Sequence, residues 1–256
     1  MKLKKFSKSL LLSFYRSLVE GYAYHSSALT YSFTMVLGSL FVFMSFLLYY
    51  IPFVDFNLLW KKLFEFMPSY AERVIEKILE AYRHKTTGSL ISIALAYYFS
   101  VSFVKTFDKS LSYVCSRKRK LGEIAYWIAV PFFVVFVAVA LTGLFLFLAL
   151  SKVLLKSFYA YALGTTLYLF AFFTLTLVYR FMLYKSWTSV MLSGAVFSFL
   201  FLLFNKAFSF VVLKVLLANP LYAVMGSLLA FFVWLNLSFY IVLVGAKFSE
   251  LLDEPL

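Results

Sequence analysis

Apolar residues in this chain come in long blocks rather than in the strict alternation of strands. A helix needs roughly 20 mostly apolar residues to cross the hydrocarbon core of a bilayer. Six blocks meet or approach that length: 28–51, 89–104, 124–150, 160–183, 187–204 and 221–246. None shows the two-residue repeat of a membrane barrel strand. The pattern predicts an all-α polytopic membrane protein with six transmembrane helices, forming one membrane domain over 1–256. Pro131 lies inside the third block and should bend that helix without ending it.

Two polar stretches predict helices of another kind. The opening "MKLKKFSKSLLLSFYRSLVEG" begins like a signal peptide, but its apolar core from Leu10 to Tyr15 is short and runs into Arg16 and Glu20. It reads better as an amphipathic N-terminal helix. Lys4, Lys5 and Lys8 would lie near anionic headgroups, with Phe6, Leu10 and Phe14 dipping into the acyl layer. Arg16 and Glu20 have the spacing of a helical ion pair. The second stretch is the extracytoplasmic loop, 52–88. After Pro68, Ser69 and Glu72 have capping-box spacing, and Tyr70, Val74, Ile78 and Tyr82 recur every fourth residue on one face. An amphipathic loop helix follows, and "DFNLLWKKLFEFM" upstream suggests a second.

Charge sets the orientation. Of 24 Lys and Arg, fourteen fall before the first block, in the basic loop 105–123, between the fourth and fifth blocks, or after the sixth. The other ten fall on the opposite side, six of them in the 52–88 loop, beside five carboxylates. Basic residues collect on the cytoplasmic side, so both termini are expected there. Composition agrees. The chain is 64% hydrophobic and 14% charged, whereas soluble domains are about half apolar and a quarter charged. The net charge of +13 is spread along membrane boundaries. It points to anionic lipid as a partner, and not to nucleic acid.

Three stretches resemble the YihY/BrkB family of bacterial inner-membrane proteins. They are "SSALTYSFTMVLGSL" from Ser26, "LAYYFSVSFVKTFDKSLSYVCSRKRK" from Leu95, and "NPLYAVMGSLLAFFVWLNLSFYIVLVGAKFSEL" from Asn219. In the last, Tyr222, Trp234 and the Gly245-Ala246 pair keep family-like spacing. The chain departs from the pattern at Ser39, where the family has proline, at Ala223, where it has glycine, and at Lys247, where an acidic residue is usual. Glu250 follows one turn later. The resemblance implies an integral inner-membrane protein without a settled activity. Members have been labelled a tRNA-processing ribonuclease, a virulence factor and a transporter, and one branch is linked to export of a lipid A precursor. Nuclease chemistry needs clustered ligands around an activated water. This chain offers two distant histidines, His25 and His84, a lone Cys115, and few carboxylates. No catalytic residue, metal site or cofactor is expected.

Candidate chemistry lies where polar groups enter the apolar blocks. Ser27, Thr30, Tyr31, Thr34 and Gly38 share one face of the first block, bordered by Ser26, with His25 at its end. Such a face either glues helices together or walls a hydrated groove. Ser189, Ser193, Gly194 and Ser198 form a packing stripe on the fifth block. Lys105, Asp108, Arg180 and Lys206 stand at block ends, where they either snorkel or meet an anionic headgroup. Asp108 would pair with Lys105 or Lys109. The pathway expected for a substrate thus runs through His25, Ser27, Thr30, Tyr31, Thr34, Lys105, Asp108, Arg180 and Lys206. The function expected is transport of a lipid or other anionic amphiphile. The alternative is a non-transporting scaffold that anchors an envelope protein partner.

Overall fold

The computed structural model describes residues 3–49, 87–117, 122–128, 130, 159–218 and 220–254. Every regular element among them is helical. They are α1 (Leu3–Val19), α2 (Tyr22–Tyr49), α3 (Thr87–Val114), a short helical stretch at 123–128, α4 (Tyr159–Leu183), α5 (Trp187–Ala218) and α6 (Pro220–Asp253). Three segments are long and apolar enough to cross a membrane: Gly164–Leu183, Trp187–Val212 and Leu229–Asp253. The helices expected in the 52–88 loop, His84, and most of the third block lie outside the described residues.

Helix ends follow local chemistry. Gly21 adopts φ +70° and lets the chain turn between α1 and α2. The α3 helix ends in a Schellman motif. Ser116 takes the left-handed position at φ 44°, the Arg117 amide donates to the Ser112 carbonyl, and the Ser116 amide donates to Tyr113. Pro220 opens α6, where its missing N–H costs nothing.

Several helices outrun their apolar blocks. The second block ends at 104, yet α3 continues to Val114 through the first half of the expected basic loop. Val101, Val104, Asp108, Leu111 and Cys115 are all buried, so a three-to-four residue period carries on after hydropathy falls. The fifth block ends at 204, but α5 reaches Ala218. Lys206 is therefore an exposed side chain within the helix, not a residue following it.

Two compact units divide the chain: Met1–Thr30 with Val104–Leu256, and Tyr31–Phe103. In the second, the rings of Phe33 on α2 and Phe103 on α3 meet at 5.3 Å. In the first, α4, α5 and α6 pack through small residues. Ser193 Oγ donates to the Gly245 carbonyl at 2.6 Å, and the Tyr179 hydroxyl donates to Val242 at 2.8 Å. Ser189, Ser193 and Ser198 are buried while Phe199, Leu203 and Phe210 face outward. Small residues inside and large apolar ones outside is the arrangement of helices solvated by lipid.

The N-terminal helix shows the same inversion, which corrects its expected orientation. Phe6 and Phe14 both meet protein, although Phe14 remains 41% exposed. Phe6 meets Phe248 edge-on at 5.4 Å, and Phe14 stacks on Phe197 at 6.2 Å. Ser9, Ser13 and Ser17, spaced by four, are buried beneath α1. Ser17 shares a 2.7 Å hydrogen bond with Tyr240, and Lys5 Nζ donates to the Glu254 carbonyl at 2.5 Å. The serine stripe permits close approach, and that brings the flanking phenylalanines onto the protein. Arg16 and Glu20 do pair, at 3.8 Å.

Candidate functional site

The polar opening of α2 is answered by one residue of α6. Asn236 Nδ2 donates to Ser27 Oγ at 2.7 Å, and Ser26 Oγ donates to Asn236 Oδ1 at 3.2 Å. Ser26 shares its one hydroxyl hydrogen between Asn236 Oδ1 and the Ala23 carbonyl, and Ser27 also donates back to that carbonyl. Thr30 is buried, and its hydroxyl donates to the Ser26 carbonyl at 2.8 Å. His25 lies against the Tyr113 ring at 4.4 Å and edge-on to Tyr24. Tyr31 and Thr34 belong to the second unit, where Tyr31 is exposed and Thr34 half-buried. At its first turns the stretch is helix-to-helix glue. Asn236→Leu keeps the volume but removes both interhelical bonds. Each is worth about 0.6 kcal/mol in a membrane bundle, and both serines keep their bonds to Ala23. The expected loss is roughly 1 kcal/mol, read from thermal unfolding in detergent.

A reporter for such measurements is built in. Cys115 is the single cysteine and is buried. Burial, reinforced by nearby Glu250, pushes its thiol up to about 12. It stays protonated and unreactive at neutral pH until unfolding exposes it to a thiol-reactive dye.

Charged side chains collect at the end of the first unit where α3 and α6 finish. Asp108 is 2% exposed. It accepts an ion-paired hydrogen bond from Arg117 and a 2.5 Å bond from the Tyr126 hydroxyl. The ion-pair partner found is therefore Arg117, two turns along, where Lys105 or Lys109 was expected. The Schellman turn reverses the chain at Ser116 and so brings Arg117 back along α3. Lys105 instead pairs with Glu123 and lies 5.7 Å from the Trp127 ring. Arg180 is committed to its own connection. It donates to the Lys185 carbonyl at 2.6 Å and sits 5.0 Å over Trp187. Lys206 is apart from these, about 29 Å along α5 from Trp187 at 1.5 Å per residue.

The pair that sequence reasoning undervalued is Lys247 with Glu250, 2.6 Å apart and almost wholly buried on α6. Cys115 lies within electrostatic reach of Glu250, Lys247, Arg117 and Lys185, and Tyr22 within reach of Glu20 and Glu250. Among the described residues, Ser112 Oγ, Ser249 Oγ and Arg117 Nε are buried there without a hydrogen-bond partner. Nearby, Asp253 accepts from the Ser186 amide and the Ser189 hydroxyl, each at 3.3 Å, at the N-terminus of α5. A carboxylate is favoured at that end of a helix. The cluster combines both signs of charge with donors that are not yet used. That is what a site needs to receive an anionic group without leaving its own charges unpaired.

The family model described as "Virulence factor BrkB" matches residues 14–255. No solved structure matches the chain.

Proposed function

This chain belongs to the virulence factor BrkB family, and from that premise we propose that it is a six-span transporter of an anionic amphiphile, with lipid as the substrate class. One observation carries the reading: the buried charges at the shared end of α3 and α6. Ionisable groups are expensive at membrane depth and mark substrate or ion pathways. Here Lys247 and Glu250 lie inside Leu229–Asp253, a segment apolar enough to span, with unspent donors on Arg117 and Ser249 beside them. Lys105 and Arg180 attract the headgroup at that end, and Lys206 meets it near the opposite boundary. The contact of Lys5 with the Glu254 carbonyl supports an even number of spans, because it holds the two chain ends together. The basic residues around that end support placing it on the cytoplasmic side of an inner membrane.

A second reading, a non-transporting scaffold for an envelope protein, draws support from the Asn236 clasp on Ser26 and Ser27. That clasp ties the first turns of α2 to α6 by direct bonds. The two readings part in proteoliposomes containing a fluorescent phosphatidylglycerol, with and without an imposed pH gradient. Transport predicts loss of label from the outer leaflet above the protein-free rate. The charge-free Lys247→Met/Glu250→Leu variant should fold and lose this movement. Wild-type protein no faster than empty vesicles in either condition would leave the scaffold reading standing.

A further inference from the structure

The α1 helix turns Ser9, Ser13 and Ser17 inward and much of its apolar surface outward. Leu11 is 72% and Leu18 79% exposed, and Tyr15 and Val19 stand out beside them. The helix also lies against Phe248 and Tyr240, both within Leu229–Asp253, a segment long and apolar enough to cross a membrane. Its outward face therefore sits at acyl depth. On that face Ser7, Lys8, Leu11, Leu12 and Tyr15 line an open groove of about 430 Å³. Lys5 is spent on the Glu254 carbonyl, whereas Lys8 is exposed at the head of the groove. From Lys8 to Tyr15 the groove runs about 10 Å along the helix, enough for a stretch of one acyl chain.

We infer that this groove binds one anionic bilayer lipid. Its phosphate contacts Lys8 and an acyl chain follows Leu11, Leu12 and Tyr15. The polarity of the helix argues for lipid as the occupant. Burying serine while exposing leucine stabilises a helix only where the surroundings are hydrocarbon, and a lysine at the headgroup end selects negative charge. The site does not depend on transport, since an immobile scaffold would hold the same lipid.

The test uses the full chain in nanodiscs of mixed phosphatidylglycerol and phosphatidylcholine, released for native mass spectrometry. Wild-type protein should retain phosphatidylglycerol in preference. Lys8→Ala should lower that retention by about fivefold, the worth of one lysine near an anionic surface. Leu11→Asp should abolish it. Because Lys8 is exposed at the headgroup end, the unfolding midpoint read at Cys115 should not move in Lys8→Ala, which separates lost binding from lost folding. Equal retention of both lipids by wild type and Lys8→Ala would overturn the proposal. So would a Leu11→Asp protein of half the native particle mass, because a second copy of the chain would then be the occupant.

Discussion

Lys247→Met alone should destabilise the protein by about 3–5 kcal/mol, the cost of leaving one member of a buried ion pair without its partner. The size follows from burial. Lys247 is 2% exposed and Glu250 6%, so the orphaned carboxylate has no water to turn to. Methionine fills nearly the same volume, which leaves charge as the main variable. The double variant Lys247→Met/Glu250→Leu should recover most of the loss, since replacing a whole buried pair by apolar groups is often neutral or better. Thermal unfolding followed at Cys115 would show a drop of roughly 10 °C for the single variant and little for the double. A single variant as stable as wild type would mean that water reaches the pair. The comparison also frees the transport experiment from doubt about folding, because the double variant is the one used there.

Gly245→Ala should be the costliest methyl group in the first unit. A Cβ at this position collides with the Tyr179 hydroxyl and lies 2.8 Å from Cγ of Phe197. Neither neighbour is free to yield. Tyr179 is pinned by its bond to the Val242 carbonyl, and Phe197 is wedged between Phe14 and Phe248. Overpacking costs typically 1–3 kcal/mol, and with both neighbours fixed the loss should reach about 3 kcal/mol or more. Gly194→Ala is the control. Its Cβ collides with Thr176 Oγ1, but the next atoms are 3.4 Å away. That hydroxyl has no hydrogen-bond partner holding it and can rotate aside. A loss of about 1 kcal/mol is expected there. The same unfolding assay compares the two, and equal losses would refute the argument from pinned neighbours.

How far the sequence could be read depended on which solvent its residues were judged against. Helical class and the apolar cores of α4, α5 and α6 were plain from block length alone. The continuation of α3 was missed because hydropathy falls at Lys105, although Val104, Asp108, Leu111 and Cys115 keep the period of one helix face. The face of α1 was assigned by the rule for a helix lying in the membrane interface, which turns lysine toward the headgroups and phenylalanine toward the acyl layer. Ser9, Ser13 and Ser17, each four apart, were the contrary signal. Asn236 could also have been found, because an amide amid apolar residues at membrane depth must meet a partner. Its partners, Ser26 and Ser27, were already conspicuous. Lys247 was noticed only as a departure from a family pattern. Its separation of three from Glu250 placed both on one helix face. What no spacing could reveal was the turn at Ser116 that sends Arg117 to Asp108, since a serine in the left-handed region carries none of the usual glycine marking.

The seat of α1 has a consequence for how the protein is made. Ser17 bonds to Tyr240, 223 residues later in the chain. At about 5–20 residues per second, the ribosome supplies that partner on the order of 10–45 s after Ser17 itself. During that interval α1 has no α6 to rest on, and its serines have only their own carbonyls and water. Its lysines and leucines can hold it at the bilayer surface meanwhile. A helix synthesised ahead of α2 to α6 is therefore among the last of them to take its place, and a chain stopped before α6 would leave it at the membrane surface.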